Sequence, residues 1–209
     1  MKKIEAYEDM EQAMLSLDNG GRFYNLLAKA NNRVISPAEV GKVIGASSDK
    51  QKMVLYLELS LAKLSHGMKC ILLEKLTPEL RLSYEKYKPQ ILLPCEAEEK
   101  GKIDANAIIN GIPKLIDAKN EFKGFIIMPI MAGNVMSMMM IPIMDKYEVY
   151  ELMDEKNGES FFIAHAKGET KLPQQPLKIA GIIKELKPNK NGEGMIKKFL
   201  EASYYLQDE

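Results

Sequence analysis

A run of 21 residues, Gly124 to Met144, contains no charged side chain and holds seven of the chain's fourteen methionines. That length is close to the roughly 20 apolar residues a membrane-spanning helix needs. A helix here would have to absorb Pro129 and Pro142, each lacking an N–H and colliding with the preceding turn. It would also carry Gly133-Asn134, a turn signal, near its centre. Read in steps of two, the run resolves into two strands, Phe125 to Met131 and Val135 to Met144, joined by Ala132-Gly133-Asn134. Each arm carries Pro-Ile-Met, at Pro129 and again at Pro142. Lys123 precedes the run and Asp145-Lys146 follows it, so no charge asymmetry orients a membrane span. The expectation is a β-hairpin, with no association with a membrane.

Both faces of such a hairpin are apolar. Met136, Met138 and Met140 point one way, and Val135, Met139, Ile141 and Ile143 the other. Burial on both sides is the ordinary use of a strand of this kind, with methionine filling irregular gaps in the core. The alternative is a groove or face that holds a protein partner, a second copy of the chain or an apolar ligand, because flexible thioethers adapt to varied surfaces. Met136, Met138, Met140 and Met144 are the residues assigned to that role. The run contains neither histidine nor cysteine, which leaves soft-metal binding by the thioethers without support.

The rest of the composition removes other classes. Lysine plus arginine equals aspartate plus glutamate at 29 each, so no global field draws nucleic acid or an acidic lipid surface. Arg22, Arg33 and Arg81 are the only arginines, few for a protein that reads bases or grips phosphates bidentately. Acidic residues Glu5, Glu8, Asp9 and Glu11 occupy the place of a signal peptide's apolar core. Two cysteines, Cys70 and Cys95, are too few for a disulfide framework. The expected compartment is the cytoplasm, and no cofactor motif is present.

The character of the chain changes near Lys88-Pro89. Before it the signals are helical. Ile4, Tyr7, Met14 and Leu15 share one side of a first helix, and Phe23, Leu26, Leu27 and Ala30 mark a second. Ser36-Pro37-Ala38-Glu39 is a capping box with proline at the first helical position, and Gly45 ends the helix it starts. A helix from Ser48-Asp49 to about Leu64 is apolar nearly all round across Met53–Leu57 and is expected at the centre of a bundle. Met68–Leu76 is assigned to helix by its neighbours, and Thr77-Pro78-Glu79 starts another.

After Pro89 the signals are β. Ile91–Pro94, Ile108-Ile109, Leu115-Ile116, the methionine hairpin, Tyr147–Leu152, Phe161–Ala164 and Leu177–Ile183 read as strands. Asn157-Gly158 and Asn191-Gly192 supply two-residue turns. Met195 to Leu206 suits either period and is assigned to strand because a strand–turn–strand is the shorter connection. The fold class expected is α+β: a helical domain over residues 1–89, then a mostly antiparallel β-barrel-like or bent-sheet domain over residues 90–209.

Candidate chemistry is sparse. His66 lies four residues before Cys70, which on a helix gives metal-ligand spacing, but no full ligand set follows and no metal site is assigned. His165 ends a strand that the Asn157-Gly158 hairpin sets opposite Glu148, Glu151 and Asp154. A histidine across from a carboxylate is the minimal outline of an acid–base pair. A nucleophile elbow and a glycine-rich phosphate loop are both missing, so a structural cross-strand bond leads and an enzyme centred on His165 ranks below the binding readings.

Two nucleic-acid readings complete the set. Ser36 to Lys52 has the outline of a helix-turn-helix with Lys50 and Lys52 facing outward, but the second helix is wholly apolar from Met53. Between Phe161 and Leu200 eight lysines stand against three glutamates, followed by Tyr204 and Tyr205. In strand count and charge, though in no motif, this half resembles an oligonucleotide/oligosaccharide-binding barrel. That resemblance implies single-strand binding by stacking and backbone attraction, with Lys178, Lys184, Lys187 and Tyr204 as its residues. A lysine-protected sheet edge accounts for the same residues without a ligand. The leading expectation is a non-catalytic interaction or ligand-binding protein whose β half holds a protein partner or apolar ligand.

Overall fold

The computed structural model describes residues 1–18, 32–45, 48–116, 124–132, 135–154, 158–187 and 197–207. The fold is mixed α+β, with seven helices among the described residues and a large mixed sheet. The chain divides into two compact units, Lys2–Pro89 and Gln90–Glu209, the second including Met1.

The first unit contains a short strand β1 (Lys2–Lys3) and helices α1 (Met10–Leu17), α2 (Pro37–Ile44), α3 (Lys50–Ser60), α4 (His66–Glu74) and α5 (Pro78–Tyr87). The chain supplies each helix with its own cap: side chains of Asp9, Ser36, Asp49, Ser65 and Thr77 accept backbone N–H groups at the helix starts. Caps of this kind contribute about 1 kcal/mol each. Ser36 and Glu39 form the reciprocal capping box, the Ser36 N–H donating to Glu39 Oε2 at 2.8 Å. Gly45 closes α2 in the left-handed region at φ +75°, which a Cβ would strain. Met53, Val54, Leu55, Tyr56, Leu57 and Leu59 of α3 are all buried, as an all-round apolar helix requires.

The first helix is shorter than its apolar spacing predicts. Asp9 takes the Gln12 N–H at 2.7 Å and fixes the start at Met10, so Ile4 and Tyr7 are buried ahead of the helix. Leu15, expected on the buried side, is 65 % exposed. Met68–Leu76 is helical through Glu74. The helix expected at Phe23–Ala30 lies outside the described residues.

The second unit runs β2 (Gln90–Leu92), α6 (Pro94–Lys100), β3 (Asn106–Leu115), β4 (Phe125–Ala132), β5 (Val135–Pro142), α7 (Ile143–Lys146), β6 (Tyr147–Met153), β7 (Ser160–Ala166), β8 (Leu177–Leu186) and β9 (Lys197–Gln207). β3 pairs antiparallel with β8 through Asn106–Gly111 and with β6 through Ile112–Leu115. β6 pairs with β7, and β8 with β9, both antiparallel. A short parallel contact, Ile163↔Leu200 and Ala164↔Glu201, joins β7 to β9. The hydrogen-bonded path therefore returns on itself: β3, β6, β7, β9, β8 and back to β3. β2 adds to β3 in parallel.

Alternation along these strands separates two apolar clusters. Ile109, Tyr150, Leu152, Phe161, Ile163, Leu177, Ile179, Ile183 and Leu200 belong to the larger cluster. Val149, Ala164 and Phe199, from the other face of the same strands, join Ile126, Ile143, Met144 and Leu186 in a smaller one. The hairpin strands β4 and β5 form their own two-stranded sheet, bridged to the end of β8 only at Phe125↔Lys187 among the described residues.

Three sequence readings are corrected here. Ile108-Ile109 and Leu115-Ile116, expected as separate strands, lie on or beside the single strand β3, which changes partner at Gly111 instead of breaking. Pro94 opens helix α6 rather than closing an isolated strand. The second hairpin arm stops at Pro142, because Ile143 and Met144 turn into α7. Met195–Leu206 resolves as strand from Lys197, held by ladder pairing along β8. Asn157, Gly133-Asn134 and Asn191-Gly192 lie outside the described residues. Gly158 has φ +71°, but the Asp154 N–H donates to the Glu159 carbonyl at 2.8 Å and Met153 pairs with Ser160, so the connection is longer than the two-residue turn expected there.

Candidate functional site

The root and the tip of the hairpin meet different surroundings. In the observed register Ile126 faces Ile141, Ile127 faces Met140 and Pro129 faces Met138. Period two then places Ile127, Met140, Met138 and Met136 on one face, and Ile126, Ile141 and Met139 on the other. Ile126 is buried and Ile141 half-buried against the smaller cluster, which anchors the root. Met136 and Met138 are 64 % and 68 % exposed, and Ile127, Met139 and Met140 are exposed beside them. Burial on both sides, the ordinary use of such a strand, does not occur at these positions. Met144 departs from the group: it sits in α7, only 9 % exposed, and packs in the smaller cluster with no surface to offer a partner.

At the foot of the hairpin opens a cleft of about 360 Å³. Ile126 and Phe199 are its buried apolar lining, with half-buried Tyr147 and Glu201 beside them. The Tyr147 hydroxyl donates to Glu201 Oε1 at 2.6 Å, and its ring meets Phe199 edge-on at 6.4 Å. Burial, reinforced by this carboxylate, raises the Tyr147 pKa well above the usual phenol value. Lys184 and Lys187, also lining the cleft, pair with Asp104 at 2.7 Å and Glu185 at 2.6 Å.

His165 is 1 % exposed and sits opposite Glu148 in the β6–β7 ladder. Its Nδ1 lies 3.0 Å from the Ala166 carbonyl oxygen, which accepts only, so Nδ1 carries the proton in the neutral ring. Nε2 is 3.3 Å from the Tyr150 hydroxyl and 3.6 Å from Glu148 Oε2, and the two rings stack at 5.5 Å. The same hydroxyl accepts the Leu172 N–H at 3.3 Å and faces Glu148 Oε2 at 3.2 Å. Glu169 approaches Nδ1 at 3.6 Å and also pairs with the Met1 amine. Burial pushes the His165 pKa below its ordinary value against the pull of Ala166 and Glu148. Burial also pushes Tyr150 up to about 12. The network holds a neutral imidazole and a neutral phenol at pH 7. A substrate has almost none of His165 to touch in this conformation.

The residues of the single-strand reading do not assemble as a stacking platform. Tyr204 is 4 % exposed and Tyr205 9 %, so neither offers a ring face to a base. Lys184 and Lys187 already neutralise carboxylates, and Lys178 stands on β8 opposite Leu206. In the first unit Lys50 pairs with Glu79 at 3.0 Å and Lys52 with Asp49 at 3.5 Å, which uses the charges of the helix-turn-helix outline internally. Cys70 Sγ lies 3.6 Å from His66 Nε2 on α4, and Cys95 contacts Asp154 Oδ2 at 3.7 Å in the second unit.

Sequence reading does not single out Tyr147, Tyr150, Phe199 or Glu201. Tyr150 sits two residues from Glu148 on an alternating strand, so its shared face is an available signal. Tyr147 and Glu201 are 54 residues apart in sequence and meet only through the strand path. Compared with protein-family profiles and with curated proteins, the chain matches none.

Proposed function

We propose that this chain is a non-catalytic binding protein whose second unit presents the methionine hairpin to a protein partner or a second copy of the chain. The observation that supports it is the exposed row Ile127, Met136, Met138 and Met140 on a ribbon whose root is fixed in the core. Unbranched thioethers rewrap around varied surfaces at little cost, and a contiguous apolar surface on a soluble protein commonly marks an interaction site. A lone two-stranded ribbon is only marginally stable in water, so a partner would also stabilise this one. The seat of His165 supports a structural role over catalysis.

The test is a Met136→Ser, Met138→Ser, Met140→Ser triple variant, compared with the natural chain by light scattering after gel filtration and by cross-linking in a native extract. Loss of self-association or of a discrete cross-linked complex, with thermal stability kept, supports the reading. Unchanged association combined with a lowered Tm would assign the methionines to packing and remove the site.

A second reading is favoured by one observation, the closed strand path. We read that path as a small five-stranded barrel with β3, β6, β7, β8 and β9 as its staves. Small five-stranded barrels include the oligonucleotide/oligosaccharide-binding fold, a partly open barrel whose ligands lie on one outer face between loops. In this reading β4 and β5 form a long excursion between the first two staves, beside Lys184 and Lys187. Steep loss of oligonucleotide affinity with salt, reduced by neutralising Lys178, Lys184 and Lys187, would move this reading ahead of the first.

A further inference from the structure

We propose that the cleft at the foot of the hairpin binds an organic cation, a protonated amine or guanidinium carried on a short apolar stem. The cleft shares Ile127 with the exposed row but none of its methionines, and the inference stands whether or not those methionines dock a partner. The cleft's volume, about 360 Å³, lies within the usual range of small-ligand sites.

Charge accounting inside the cleft picks the ligand. Its lining carries three carboxylates, Asp104, Glu185 and Glu201, against two ammonium groups, Lys184 and Lys187. Lys184 is held by Asp104 and Lys187 by Glu185. Among the described residues Glu201 forms no ion pair, and its partner is the neutral Tyr147 hydroxyl. A half-buried carboxylate compensated only by a phenol is placed to gain a cationic partner. The surroundings suit the rest of such a ligand. Ile126 and Phe199 bury an apolar stem, and the Tyr147 and Phe199 rings attract positive charge through their faces. An anionic ligand would have to displace Asp104 or Glu185 from its lysine first.

The same head group occurs on free alkylamines and on the lysine or arginine side chains of a partner protein, and the experiment separates the two. The ¹⁵N-labelled full chain is titrated with n-pentylammonium, n-pentylguanidinium, pentanol and pentanoate, and with acetyl-Gly-Lys-Gly-amide, while amide shifts of Phe199 and Glu201 are followed by NMR. Saturable shifts with the cations, weakened about tenfold or more in Glu201→Gln, are expected. Tyr147→Phe, which releases Glu201 from its one donor, should bind the cations at least as well. Tighter binding of the peptide would identify a basic protein segment as the source, and tighter binding of the free amines a small molecule. Should Glu201→Gln fail to fold, a salt series on the natural chain replaces it: affinity for the cations falls with ionic strength while that for pentanol does not. Equal binding of pentanol, preference for pentanoate, or no saturable shift with the cations would overturn the proposal.

Discussion

Among single residues, His165 gives the sharpest test. Its folded pKa is held down chiefly by burial, whereas the unfolded side chain titrates near about 6.5. Between those two values the unfolded chain binds more protons, so stability rises with pH across that window and is lost as pH falls below about 6.5. Urea unfolding at a series of pH values should show this slope, and His165→Gln should remove it whatever its effect at neutral pH. Tyr150→Phe keeps the stacked ring but deprives the Leu172 N–H of its acceptor and Glu148 of its donor. The expected cost is about 1–2 kcal/mol by chemical denaturation. Candidate carboxylates opposite His165 are legible in the sequence as Glu148, Glu151 and Asp154. The choice of Glu148 is not, because a two-residue Asn157-Gly158 turn would set Tyr150 opposite His165 and the ladder is shifted from that register by two residues. The face that Tyr150 shares with Glu148 is legible from the alternation, but its bond from the Leu172 N–H is not, since that depends on how the chain at Leu172 folds back over it.

At the level of elements, backbone proximity decides what the sheet tolerates. At the bulge between Ala180 and Gly181, a Cβ on Gly181 would stand 2.3 Å from the Glu201 carbonyl oxygen and 2.9 Å from Ala202 Cα. Backbone cannot swing aside, so Gly181→Ala should destabilise by about 1–3 kcal/mol. Gly67, in the first turn of α4, has open space within 4 Å of where an added methyl would sit, and Gly67→Ala should instead stabilise by up to about 1 kcal/mol. Thermal unfolding of the two variants side by side checks both signs. Caps and proline positions make most helix starts legible: Ser36, Asp49 and Thr77 occupy the expected places. The start of α1 is not, because Ile4 and Tyr7 are spaced like a helix face while Asp9 holds the cap. The hairpin is legible from its prolines and central glycine. Its exposure is not, because hydrophobicity alone does not say which strands find a cover.

For the whole molecule the balance of charges governs behaviour in solution. The formal net charge is zero at pH 7 and the isoelectric point is about 6.8, with an uncharged apolar ribbon at the surface. Self-repulsion is then weakest near neutrality, and solubility at low salt should pass through a minimum close to pH 6.8. Met136→Lys with Met138→Lys should move that minimum upward and make it shallower, as measured by precipitation across a pH series. Composition makes the neutral balance plain, but the path of the strands is not legible: β7 meets β9 through two residue pairs that no local pattern announces.

That two-pair seam between β7 and β9 also sets a timetable. A growing chain emerges with β3, β6, β7 and β8 ahead of β9, and antiparallel neighbours can begin to pair as they appear. Until Lys197–Gln207 arrives, β7 and β8 each present a row of free peptide groups to the cell, the kind of open edge that recruits foreign strands. A chain that has released β8 but not yet β9 would hold both strands as open edges, and any cut that removes β9 would leave them open permanently.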